Sequence, residues 1–221
     1  MRLPSLLAIA LIAAGPAAAL GPVAFGPDPA AEGWSVLTFR GRAPAAFAAE
    51  GPGTLRLETE AGVAVLWRAL PPAFANAGTA DWRWRVDAGP PPTDLTRRGG
   101  EDRAIALYFL FADDAAAAAR PPGSLREALR RGRALVYVWG GDAAEGAVLP
   151  SPQLGDRGRL IVARSADAAA GTWKPARADL RADFRRAFGR EPGPLAGVAV
   201  STDGDDTGSR IAARIADLTL R

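Results

Sequence analysis

The chain has no cysteine and no histidine among its 221 residues, and its one lysine is Lys174. Without cysteine there is no disulfide, no thiolate nucleophile and no thiolate-held zinc. Without histidine the usual general base, the Ser-His-Asp triad and the commonest transition-metal ligand are missing. What remains for chemistry is Asp, Glu, Tyr, Ser, Thr and a single amine. A strong charge of one sign is also lacking: 27 basic residues face 24 acidic ones, a formal net charge of +3. The isoelectric point of 10.1 follows from a small arginine excess with no His or Cys to buffer it. The densest basic stretch holds Arg126, Arg130, Arg131 and Arg133. A nucleic-acid-binding domain would carry a larger basic footprint, so no nucleic-acid partner is expected.

Hydrophobic residues make up 48% of the chain, enough to bury one sizeable core. A long apolar run is missing too. Leu3 to Ala14 is apolar apart from Pro4 and Ser5, shorter than the roughly 20 residues a spanning helix needs. Arg2 precedes it, Gly15 and Pro16 break it, and Ala17, Ala18 and Ala19 supply small residues for a signal peptidase. Residues 1–19 therefore read as a secretory signal cleaved near Ala19. Residues 20–221 read as one domain, expected in the periplasm or outside the cell. No cysteine stands near the cleavage point, so no lipid anchor is expected.

The remainder reads as short strands between Gly/Pro-rich turns. Ten are expected: 34–39, 54–58, 63–68, 81–87, 103–111, 133–139, 159–165, 171–176, 196–202 and 211–220. In the fourth, Trp82, Trp84 and Val86 alternate with Arg83, Arg85 and Asp87, giving one buried and one wet face. Residues 104–111 and 134–139 are apolar on both faces, so these strands should be central and covered on both sides. Two short helices are expected. Ser124 would cap one over 125–131, and Asp179 one over 180–188, with Leu180, Phe184 and Phe188 on one stripe and Gly189 as its stop. The long loop 89–101 could hang over one sheet face. The pattern predicts a mostly β, two-sheet jelly-roll-like sandwich, of the galactose-binding-like kind, with one or two short helices.

Ordered landmarks then carry a resemblance. They are Trp82-Arg83-Trp84-Arg85-Val86; Gly99-Gly100-Glu101-Asp102-Arg103 leading to Tyr108 and Phe111; Tyr137-Val138-Trp139-Gly140; Trp173; Asp179 with Asp183-Phe184 and Phe188-Gly189; and Ser201-Thr202-Asp203-Gly204-Asp205-Asp206-Thr207-Gly208. In this order the chain, from about residue 34 to its end, resembles a bacterial family known as domain of unknown function 3047. Gly204 and Asp206 stand where that family tends to carry Thr and Asn. The resemblance implies an exported domain and supplies no chemistry.

Three constellations are candidates for a site. Arg83 and Arg85 with Asp102 and Arg103 could read an anion or sugar hydroxyls by bidentate hydrogen bonds; the alternative is a solvated face of cross-strand ion pairs. Trp139 and Trp173 could stack on a sugar ring, with Trp173 the more exposed of the two; Trp82 and Trp84 belong in the core. Asp203, Asp205 and Thr207, with Gly208 at the sixth position, match the opening of a calcium loop, but Arg214 stands where the bidentate Glu should be. The alternative there is an Asp/Gly-rich turn capping its own backbone. No other cofactor is expected.

These features favour a non-catalytic module for a glycan or small anionic ligand. A carboxylate-dependent glycan hydrolase or lyase is a second reading; it needs Asp102 and the Asp203 cluster to meet at one end of the fold. A structural or assembly factor of the cell envelope is a third.

Overall fold

The computed structural model describes residues 20–221, so the leader expected over 1–19 lies outside the described residues. In chain order the strands are β1 (Gly21–Pro22), β2 (Ser35–Leu37), β3 (Ala46–Ala49), β4 (Thr54–Glu60), β5 (Val63–Ala69), β6 (Thr79–Ala88), β7 (Arg103–Ala112), β8 (Gly132–Trp139), β9 (Val148–Ser151), β10 (Gly155–Arg164), β11 (Lys174–Asp179), β12 (Leu195–Asp203) and β13 (Arg210–Leu220). The helices are α1 (Ala115–Ala118), α2 (Leu125–Arg130) and α3 (Leu180–Phe188).

The strands form two sheets. The six-stranded sheet runs β11-β6-β13-β4-β3, with β1 also paired to β13; the seven-stranded sheet runs β2-β5-β12-β7-β8-β10-β9. Pairing is antiparallel except between β8 and β10. This is the jelly-roll-like sandwich that the alternating strands predict.

Alternation sorts each strand's side chains onto two faces. From β6, Trp82, Trp84 and Val86 point into the space between the sheets, where they meet Ile105, Leu107 and Phe109 of β7 and Leu135, Tyr137 and Trp139 of β8. The rings interlock edge to face. Trp82 lies 5.4 Å from both Trp84 and Tyr137, and Trp84 lies 5.9 Å from Trp139. Such tilted contacts add to the area term of burial.

The opposite face of β7 and β8 is also dry. Ala106, Tyr108, Leu110, Ala134, Val136 and Val138 form a second apolar layer, and all ten residues of β7 are buried. Leu125 of α2 and Leu95 of the 89–101 loop cover it. That loop is pinned where Asp142 N donates to Thr93 O at 3.0 Å. Gly141 has a positive φ of 77°, and a Cβ there would come within 2.6 Å of Leu95, so the loop needs a glycine beneath it. As expected, Ser124 caps α2 by accepting from Glu127 N, and Asp179 caps α3 by accepting from Ala182 N. Gly189 closes α3 in the left-handed conformation.

Three short strands have no counterpart among the expected ten. β1 is a two-residue pairing, β3 is alanine-rich, and β9 contains Pro150. β3 and β9 are edge strands, where a proline costs no ladder hydrogen bond and propensity is a weak guide. The strand expected over 171–176 begins three residues later, at Lys174, because Trp173 belongs to the preceding loop.

Trp84 has no exposed surface. Trp84→Ala should lower the unfolding free energy by about 3–5 kcal/mol in urea titrations. A loss below about 1 kcal/mol would show that the inter-sheet aromatic cluster is not what joins the sheets.

Candidate functional site

Two sequence landmarks meet at one end of the seven-stranded sheet. β7 begins at Arg103 beside the last residue of β12, Asp203, in an antiparallel pair. The loop entering β7 therefore delivers Glu101 and Asp102 against the Asp203–Gly208 turn leaving β12. Asp102 has no exposed surface. Its carboxylate accepts from Thr207 N at 2.7 Å, Thr207 Oγ1 at 2.6 Å and Asp206 N at 3.4 Å. It thus caps the turn from across the fold.

Arg103 is buried and ties the same region together. Its Nη1 donates to Glu101 O at 2.7 Å and Asp203 Oδ2 at 3.3 Å, and its Nη2 to Tyr108 Oη at 2.8 Å and Ser201 Oγ at 3.4 Å. Its Nε has no partner among the described residues. The Gln153 side-chain amide donates to Glu101, and Arg42 pairs with Asp205 at 3.1 Å and Asp206 at 3.7 Å. Gly140 lets the turn after β8 pass over this site: a Cβ there would lie 2.8 Å from Arg103 Cβ.

Five carboxylates here face two arginines, and the imbalance registers in their acidity. Burial pushes Asp203 up to about 7. Arg103 opposes that shift, while Asp205, Asp102 and Asp206 add to it. Asp205 and Asp206 are also raised, first by burial. Two of the three residues in the calcium set read from the sequence are engaged by other side chains. Asp203 is held by Arg103, and the Thr207 hydroxyl is committed to Asp102. The carboxylates that approach within 4.8 Å of one another are Asp102, Asp205 and Asp206, and a hard divalent cation would need those three. The acid pair required of a hydrolase does meet at one end of the fold. Asp102, however, is sealed from solvent with its oxygens occupied by the turn, which makes it a tie and not a reagent.

The other predicted residues lie elsewhere. Arg83 and Arg85 point outward from β6 onto the open face of the six-stranded sheet. Trp139 is only 1% exposed, packed between the sheets against Trp84. The candidate grouping of Arg83 and Arg85 with Asp102 and Arg103 is therefore not assembled, because β6 and β7 lie in different sheets, and Trp139 is not available for stacking because it faces the core, as its neighbours in β8 alternate that way.

On the open face, Arg83 lies over the ring of Trp173, with Cζ 4.5 Å from the ring centroid. Its Nε donates to Asp217. Asp217 sits at φ 57°, where the register of β13 on β6 shifts between Ala216 and Thr219. Next along the face, Arg85, Arg214 and Arg56 stand in register on β6, β13 and β4. Arg85 pairs with Asp87 at 2.6 Å, Arg56 with Glu58 at 3.0 Å, and Arg214 with both Glu50 and Asp87. Arg56, Arg214, Asp217 and Glu50 were not legible as site residues, because only strand pairing brings them beside Arg85 and Arg83. Of the six tryptophans, Trp34, Trp67, Trp82, Trp84 and Trp139 are buried and Trp173 is not.

The acid cluster has a consequence for stability. Folding raises the pKa of Asp203 from 3.8 to about 7, so the folded state holds that proton more tightly than the unfolded one. The Asp203 contribution is then most favourable at low pH, declines as pH rises through the interval between those two values, and is level above it. Asp205 and Asp206 act in the same direction. In chelating buffer, wild type should lose stability relative to Asp203→Asn across that interval, as followed by denaturant titration at each pH. A pH-independent difference between the two proteins would contradict this.

Among solved structures, the chain is similar to the family 11 carbohydrate-binding module of a cellulosomal cellulase from Clostridium thermocellum. The identity is 9%, covering 92% of this chain and 95% of that one, at a TM-score of 0.43. The xyloglucanase domain of a type three effector from Sinorhizobium fredii gives 6% identity, 90% and 95% coverage, and a TM-score of 0.46. The adhesin domain of Lys-gingipain from Porphyromonas gingivalis gives 12%, 85% and 90%, and 0.34. Likenesses this distant carry no argument about ligand or chemistry. No curated protein matches. The family described as protein of unknown function, DUF3047, matches over residues 32–219, and the chain belongs to that family, as the order of its landmarks implied.

Proposed function

We propose that this protein is an exported, non-catalytic glycan-binding β-sandwich whose binding surface is the open face of the six-stranded sheet. The observation that carries the reading is Trp173, the tryptophan that is not buried, with the Arg83 guanidinium 4.5 Å above its ring. Sugars present apolar C–H faces ringed by hydroxyls. Recognition needs an aromatic plane close to planar donors and acceptors, and Trp173, with Arg83 stacked over one face of its ring and the Asp217 carboxylate bonded to that arginine, supplies these in one group. The Nη groups of Arg83 make no protein hydrogen bond among the described residues, which leaves them for hydroxyl oxygens.

Export is supported by the sequence of the first nineteen residues. The absence of His and Cys, and the sealed state of Asp102, favour binding over hydrolysis.

Affinity electrophoresis and calorimetry against a panel of bacterial and plant polysaccharides test the reading. At least one should bind. Trp173→Ala should weaken it at least tenfold, equivalent to about 1.4 kcal/mol, and Arg83→Ala should weaken it less. Both variants should keep their melting temperature within about 2 °C, since surface changes cost little stability. Absence of binding across the panel, or binding that ignores both substitutions, would overturn the reading.

A further inference from the structure

We infer that the ligand of this face is an uncharged polysaccharide chain that lies across the strands, from Trp173 at the β11 side toward Arg56 on β4. This rests on the glycan reading above and narrows it to a class of glycan.

Charge favours a neutral ligand. The middle of the face carries four arginines and four carboxylates, and each is paired: Arg83 with Asp217, Arg85 with Asp87, Arg214 with both Glu50 and Asp87, and Arg56 with Glu58. An anionic polymer would have to displace these carboxylates from their guanidinium groups and would meet their repulsion. An uncharged hydroxyl-rich chain does not. Each exposed ion pair keeps spare donors on the guanidinium and spare lone pairs on the carboxylate, and a hydroxyl can satisfy either.

Shape favours an extended ligand. Arg83, Asp217, Arg56 and Glu58 on this face keep 44%, 60%, 39% and 44% of their side-chain surface exposed. An open face suits the flank of an extended chain better than a terminal sugar held end-on.

Strand register sets the direction. Arg85, Arg214 and Arg56 are in register on three neighbouring strands, so they form a line perpendicular to the strands, about 10 Å long from two strand spacings. Trp173 precedes β11, the strand next to β6 on the side away from β13. A chain stacked on Trp173 and crossing the sheet meets the arginine row. A chain running along β6 meets only its own two arginines.

Binding of neutral polymers (β-glucans, xylan, mannan) and acidic ones (polygalacturonate, alginate, hyaluronate) should be compared at low and high salt. Neutral polymers should bind with less than a twofold change over that range, and monosaccharides should not compete. Arg56→Gln should weaken polymer binding several-fold while leaving a disaccharide's binding unchanged. The double substitution Glu50→Gln with Glu58→Gln frees Arg56 and leaves Arg214 sharing Asp87 with Arg85, and should create salt-sensitive binding of acidic polymers. If wild type binds only acidic polymers, with affinity falling as salt rises, this inference is overturned and the glycan reading stands. Competition by monosaccharides as effective as polymer would also overturn it. If no glycan binds, the reading itself has failed.

Discussion

β7 and β8 carry apolar side chains on both of their faces, and that property decides where water can reach this molecule. One face packs against Trp82 and Trp84 of the opposite sheet. The other must be roofed, because a strip holding Leu110, Val136 and Val138 would otherwise lie bare. The roof comes from Leu95 of the 89–101 loop and Leu125 of α2. The centre of the seven-stranded sheet is thereby covered on both faces. The six-stranded sheet has only one apolar face, so its other face stays open, and β6, β13 and β4 there carry alternating arginines and carboxylates. The candidate binding surface is what remains once the double burial of two strands is satisfied.

The buried acids at the end of the sheet belong to the same logic. A roofing loop has to be fastened at its end, and this one ends in Glu101 and Asp102 just before β7. Asp102 reaches the backbone of the 203–208 turn, while Arg103 holds Glu101, Asp203, Tyr108 and Ser201. Burying so many carboxylates is costly unless they are paired, and Asp203 pushed up to about 7 records the part that is not offset. The cluster joins two loops that lie about a hundred residues apart in sequence.

How much of this was legible in the sequence depended on the range of the interaction. Alternation in 81–87 and two-sided apolarity in 104–111 gave the faces of β6 and β7 and the central place of β7. Local caps gave α2 and α3, since Ser124 and Asp179 act within three residues. Trp173 was singled out as the more exposed of the two candidate stacking tryptophans from its polar surroundings, and it is the half-buried one. Trp139 was misplaced as a candidate stacking residue because Gly140 and Gly141 after it suggested a strand end near solvent, whereas those glycines allow close approach to Arg103 and Leu95. The pairing of Arg83 with Asp217 was out of reach, because no spacing within one strand announces a partner 134 residues away. The same holds for the arginine row, which exists only through the registers of β13 with β4 and β6.

Intrinsic tryptophan fluorescence tests the central claim most directly. Five of the six indoles are buried, so a ligand on the open face can perturb only Trp173 by contact. Titration with a bound polysaccharide should shift and saturate the emission, and Trp173→Phe should abolish the change while the emission of the five buried tryptophans stays as it was. A ligand-induced change that survives Trp173→Phe would place the binding surface elsewhere and contradict the account.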